Sequence, residues 1–143
     1  MHNQKMTIET CDDGHVDNWA ALRAKLWPRH SVEHHLTEIS DLLSKPIGNR
    51  VAFIAIAETS EAIGFAEAAL RHDYVNGCES SPVVFLEGIY VVPIARRNGV
   101  ATLLYKAVEA SGRQSGCREI ASDTPIENTD SQIFHKVLGF EER

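Results

Sequence analysis

The sequence predicts a mixed α/β fold: a mostly antiparallel central sheet with helices on both faces, in the order β-α-α-β-β-β-α-β-α. Three observations predict it. Two segments with apolar residues every three or four positions come early. Three strand-like apolar runs then follow one another without a helix between them. The chain finally alternates strand, helix, strand, helix.

Lys5-Cys11 reads as the first strand. Val16 to Trp27 reads as a helix, with Trp19, Leu22 and Leu26 at helical spacing and Pro28 as its stop. Ser31 caps a second helix whose apolar face is Val32, Leu36, Ile39 and Leu43, broken by Pro46-Gly48. Val51-Ala57 and Ala62-Tyr74 form an antiparallel hairpin across a short turn at Thr59-Glu61. Asn76-Gly77 and Ser80-Pro82 mark a loop. Val83-Val92 is the most apolar strand and ends at Pro93. A helix runs from near Gly99 to about Gly112, with Val100, Leu104, Ala107 and Val108 inward. Cys117-Asp123 is the next strand. A last helix is expected from about Asn128 to Leu138, with Gly139 at its C-cap.

The 143 residues suit a single domain, residues 1–143, with 43% apolar and 24% charged residues. Twenty acids against fourteen bases give a net charge of −6, which argues against a nucleic-acid binder and favours a cationic substrate. Uncharged stretches such as Val51-Ala57 and Gly88-Ala95 are strand-sized, so no membrane span is expected. The first residues lack an apolar signal-peptide core. Cys11, Cys78 and Cys117 form no CxxC pair and read as reduced thiols of a cytoplasmic protein. His30 and His34 stand four apart, but no closed ligand set accompanies them, so no metal is expected.

The most informative segment joins Val91 to Thr102. A buried strand ends at a proline, a basic loop follows, and a helix opens at Gly99. Glycine permits close backbone approach, and the helix start presents unpaired N–H groups that attract phosphate. Arg96 and Arg97 add positive charge. The segment Arg96-Arg97-Asn98-Gly99-Val100-Ala101 fits neither GxGxxG nor GxxxxGK[ST]. Taken by itself it reads more readily as a capped helix with exposed arginines.

In that Arg-x-x-Gly-x-Ala pattern the chain resembles the GNAT superfamily of acyl-CoA-dependent N-acetyltransferases. The block Glu127 to Phe140, with Asn128, His135 and Gly139-Phe140, agrees. The resemblance is closer to aminoglycoside 6′-N-acetyltransferases. It is carried by Leu26-Trp27-Pro28, by Arg71 to Gly77, by Ser80 to Val91 and by Ala121 to Asn128, and it covers nearly the whole chain.

The resemblance implies acetyl transfer from acetyl-CoA to the 6′-amine of an aminoglycoside antibiotic, by direct attack without a covalent enzyme intermediate. It implies that Ile89, Tyr90, Val91, Arg96, Arg97, Asn98, Gly99, Val100, Ala101, Thr102 and Asn128 bind the coenzyme. The oxyanion donor is expected to be a backbone N–H near Val91. Glu87 and Asp123 are the expected catalytic carboxylates, Glu87 holding the ammonium and relaying its proton through water. Trp27, His30 and Tyr74 are the expected substrate contacts, with Asp73 and Glu79 at the rim.

The residues themselves leave alternatives open. Glu87 interrupts the uncharged run Val83-Val92, so it is solvated, ion-paired or faces a cleft. Alternation places it on the face of Phe85, Ile89 and Val91, and Gly88 permits a bulge that splays the strand. Asp123 is equally a turn residue before Pro125, and Asn128 equally a helix cap. Trp27 also suits a core position, His30 a surface one and Tyr74 a strand edge. His135 stands where many GNAT members have tyrosine, and a structural histidine fits it as well as an acid. The family continues past Gly139-Phe140 into further strands, whereas only Glu141, Glu142 and Arg143 follow here, so one or more C-terminal strands are expected to be missing. Relatives are often dimers, some exchanging these strands, and a homodimer is expected. The rival readings are a GNAT enzyme acting on a polyamine, metabolite or protein lysine, and a non-catalytic acyl-CoA-binding module.

Overall fold

The structure, a computed structural model, describes residues 5–44, 50–72 and 82–122 together with the backbone of 134–137. Tyr74, Asp123, Asn128, Asp73, Glu79 and the Gly139-Phe140 pair lie outside the described residues.

Strands β1 (Met6–Thr10), β2 (Arg50–Ala57), β3 (Ala62–Arg71), β4 (Val83–Val91), β5 (Glu119–Ser122) and β6 (Phe134–Val137) form one sheet in the order β1-β2-β3-β4-β5-β6. All neighbours are antiparallel except β4 and β5, which run parallel across Val84↔Ile120 to Leu86↔Ser122. That parallel pair needs a crossover, which α3 (Val100–Gln114) supplies.

Helices α1 (Val16–Leu26) and α2 (Val32–Ser44) cover one face of the sheet. Trp19, Ala20, Leu22 and Ile39 pack there on Ala52, Ile54 and Phe65. Helix α3 covers the other face, burying Val100, Leu104 and Val108 against Ala55, Ala66, Ala68, Val84 and Leu86. Alternation along β2 and β3 therefore divides two apolar layers. Ser31 caps α2 as expected, its Oγ accepting the His34 N–H at 3.1 Å.

Two expectations change. The helix expected from about Asn128 to Leu138 differs at its C-terminal part, where residues 134–137 form β6 on the outer edge of β5. Phe134 and Val137 favour strands, and the pairing covers an edge that β5 otherwise leaves open.

Glu87 does not share a face with Ile89 and Val91. Glu67 pairs with Gly88 but Ala68 pairs with Leu86, so Glu87 is the extra residue of a β-bulge. The bulge inverts the alternation. Val84 and Leu86 before it pack under α3, and so do Ile89 and Val91 after it. Val83, Phe85 and Gly88 lie on the α1/α2 side, the last directly under Trp27, and Glu87 lies among them.

Candidate active site

The end of β4 and the start of α3 enclose a cleft of about 490 Å³. It is lined by Ile89, Tyr90, Val91, Ala95, Arg96, Arg97 and Gly99 to Thr102. A 3-10 turn at Pro93–Ala95 follows the strand. Arg97 and Gly99 both take left-handed backbone conformations, with φ of +72° and +82°. Such a conformation is strained for arginine and free for glycine. The first intrahelical bond of α3 runs from Leu103 N–H to Gly99 O at 3.0 Å. The N–H groups of Val100, Ala101 and Thr102 are thus left without an acceptor inside the helix, at its positive end.

Arg96 is tied to the strand it follows. Its Nε donates to Val91 O at 2.8 Å, and its guanidinium lies 5.5 Å from the Tyr90 ring centroid. Asn98 is turned elsewhere and lines a different cavity of about 330 Å³ beside Lys5, Glu61 and Ile94.

The backbone of β4 is oriented toward the cleft. Val92 N–H donates to Ile63 O at 2.9 Å, which makes Gly64↔Val91 a pair that exchanges no hydrogen bonds. The Val91 N–H and C=O therefore point away from β3. Arg96 occupies the carbonyl, and the N–H is directed to the side on which β5 pairs only as far as Leu86↔Ser122. Ser122 Oγ fastens that last rung, donating to Leu86 O at 3.0 Å.

On the α1/α2 face the bulge presents Glu87, 27% exposed at its side chain. Arg50 and Arg71 approach its two oxygens at 3.6 and 3.7 Å, and Arg71 stacks on Phe85 at 4.1 Å. Two of the three alternatives raised by the sequence meet in Glu87: it is ion-paired and partly open to solvent. Trp27 packs over the next residue, Gly88. A Cβ on Gly88 would come within 2.5 Å of the Trp27 ring, so only glycine admits the indole there. Phe65 meets Trp27 edge-on at 6.0 Å. His30 is exposed and stacks on His34 at 4.1 Å. Among the described residues no group of three or more His, Cys, Asp or Glu is placed to hold a metal ion.

Sequence reasoning missed a buried ionic network beneath Trp27. Arg23 and Glu67 are each 4% exposed. Glu67 accepts hydrogen bonds from Arg23 Nη1 at 2.6 and 2.8 Å and from Trp19 Nε1 at 2.7 Å. Arg23 also bonds Glu38 through Nη2 and donates from Nε to His35 Nδ1 at 3.2 Å. Burial pushes the Glu67 carboxyl up, and Arg23 and Trp19 oppose that shift. The signal was present. Glu67 is the lone acid within Ala62–Arg71, and Trp19, Arg23 and Trp27 recur every four residues on α1 and its C-cap.

An arginine donates only, so His35 Nδ1 is the acceptor and its proton sits on Nε2, which bonds Trp27 O at 3.2 Å. Burial first, then Arg23, His34 and His30, hold the His35 pKa below its ordinary value, outweighing the bond to Trp27.

Residues 17–140 match the acetyltransferase (GNAT) family. The chain belongs to that family. An aminoglycoside N(6′)-acetyltransferase type 1 from Salmonella typhimurium is 52% identical over 137 residues, covering 96% of this chain and 92% of that protein. The solved aminoglycoside N-acetyltransferase AAC(6′)-Iy in complex with CoA superposes with a TM-score of 0.82 at 41% identity, over 99% of this chain and 97% of the other. A second structure of AAC(6′)-Iy, bound to the bisubstrate analogue CoA-S-monomethyl-acetylneamine, gives a TM-score of 0.80 at 42% identity, covering 97% and 99% of the two chains.

Proposed function

We propose that this chain transfers the acetyl group of acetyl-CoA to the 6′-amine of aminoglycosides, by direct attack in a ternary complex, and so confers resistance. The observation that carries the reading is the bulge on β4. It sets a carboxylate on one face of the strand, two residues before the stretch Ile89 to Val91 that walls the coenzyme cleft. Similarity over nearly the full chain to aminoglycoside N(6′)-acetyltransferases supports it.

The first-turn amides of α3 hold the coenzyme diphosphate, with Arg97 adding charge. The pantetheine arm lies along Ile89, Tyr90 and Val91, and pairs as a further strand does with the outward backbone groups of Ile89 and Val91, those of Tyr90 being taken by Phe65 on β3. Glu87 exchanges Arg50 and Arg71 for the substrate ammonium, which loses a proton through water. The freed amine attacks the thioester carbonyl carbon. The Val91 N–H stabilises the oxyanion, the C–S bond breaks, and the thiolate takes up a proton as the acylated nitrogen gives one up. Asp123, Tyr74 and Asn128 keep their expected roles in this reading as a second carboxylate, a sugar contact and a coenzyme ligand. Trp27 and His30 form the wall against the sugar rings.

The same reading includes a cytoplasmic homodimer. The free thiols of Cys11 and Cys117 suit a reducing compartment, and the resemblance supplies the dimer. Light scattering on the purified chain reads the dimer directly.

Thiol release from acetyl-CoA tests the function, using two aminoglycosides that differ only in a 6′-amine or 6′-hydroxyl, with spermidine and a lysine peptide alongside. Turnover with the 6′-amine alone is the expected result. Turnover with spermidine or the peptide instead points to another amine substrate, and coenzyme binding without turnover points to a binding module.

A further inference from the structure

The ion pair between Arg23 and Glu67 reaches both halves of the substrate wall. From Arg23, the guanidinium lies 4.9 Å from the Trp27 ring centroid. Its partner His35 stacks 6.4 Å from the same ring and bonds the Trp27 carbonyl. That carbonyl also accepts the His30 N–H at 3.3 Å. From Glu67, the next position across the ladder is Gly88, where the bulge begins and where the Trp27 ring rests. Trp27 and His30 on one side, and Glu87 on the other, are thus referenced to one buried pair. None of the residues lining the coenzyme cleft belongs to it.

Stability alone is a weak reason for such a pair. Desolvating two charges offsets most of their attraction, and an apolar pair of similar volume often serves a fold as well or better. We propose that Arg23 and Glu67 are positioning residues for aminoglycoside recognition: they fix the spacing between the Trp27-His30 wall and the Glu87 carboxylate and leave coenzyme binding untouched. The inference rests on reading this face as the aminoglycoside site.

The test uses the full chain carrying Arg23→Met together with Glu67→Leu, and separately Arg23→Lys, which keeps the charge but loses the planar fork. Thermal unfolding, acetyl-CoA affinity, and KM and kcat for an aminoglycoside bearing a 6′-amine are measured. The double variant is expected to melt lower, since it leaves buried Trp19 Nε1 and His35 Nδ1 without their partners, but to bind acetyl-CoA within about twofold when folded, while the aminoglycoside KM rises about tenfold or more and kcat falls less. Arg23→Lys is expected to split the two substrates in the same direction, and it alone decides if the double variant does not fold. Wild-type aminoglycoside KM in a folded variant overturns the proposal, and so does equal weakening toward both substrates. Failure of the wild-type chain to turn over the 6′-amine compound contradicts the functional reading instead, and is measured first.

Discussion

Glu67 on β3 stands directly across the ladder from Gly88 on β4, and the next rung skips Glu87 to join Ala68 with Leu86. One residue skipped by the ladder thus turns a strand that is otherwise sealed between two apolar layers into a strand with an acid on one face. Its backbone amides beyond the bulge then serve the cleft at the other end.

Gly88→Ala places a methyl group within 2.5 Å of Trp27 and 2.8 Å of Leu26. Overpacking of this kind costs about 1–3 kcal/mol. A lower denaturation midpoint is expected together with a raised aminoglycoside KM, since the indole has to move. An unchanged midpoint means that the ring has room the structure does not show.

Gly99→Ala isolates backbone strain. A Cβ there meets nothing within 4 Å, but φ is +82°. A left-handed alanine costs about 1–2 kcal/mol. Acetyl-CoA affinity is also expected to fall, because the loop relaxes away from the geometry that exposes its amides. Calorimetric titration reads that loss, and aminoglycoside affinity measured alone is expected to stay the same.

His35 makes stability depend on acid. Its folded pKa is held below the ordinary 6.5, so the unfolded chain binds a proton that the folded chain refuses. Its contribution is present above about pH 6.5 and is lost as pH falls through the folded value. Glutamine can offer an acceptor to Arg23 and a donor to Trp27 without titrating. Urea midpoints at pH 7.5 and 5.5 are expected to separate less for His35→Gln than for wild type. Equal separation removes His35 as the source.

Arg50 competes for Glu87. The contact is 3.6 Å long and both side chains reach solvent, so the pair adds under about 1 kcal/mol to stability. Arg50→Gln is expected to leave the melting temperature nearly unchanged. It is also expected to lower the aminoglycoside KM about threefold at low salt, with the difference shrinking as salt screens the cations. A raised KM contradicts competition and assigns Arg50 to substrate binding.

Much of this architecture was legible in the sequence, because period and punctuation carry it. The hairpin of β2 and β3, the apolar β4, the Pro93 stop and the Gly99 start are all local signals, and each element lies within a few residues of its expected place. The cleft was legible for the same reason: a strand end, a left-handed glycine and a helix start are consecutive in the chain. The face of Glu87 was not legible, since a bulge is decided by the register of two strands and simple alternation carries straight through it. The Arg23-Glu67 pair joins residues 44 apart in the chain. Each alone looks like an ordinary charged residue, and only packing α1 on β3 shows that both are buried. Residues 134–137 hold two strong strand formers inside a segment that also suits a helix, and the open edge of β5 decided between them.

The most direct test is Glu87→Gln, which keeps the volume and removes the charge. With acetyl-CoA affinity measured beside steady-state kinetics, kcat/KM for an aminoglycoside bearing a 6′-amine is expected to fall about a hundredfold or more while coenzyme affinity stays within about twofold. A variant that acetylates at the wild-type rate and with the wild-type KM contradicts the assignment of Glu87 as the group that holds and deprotonates the amine.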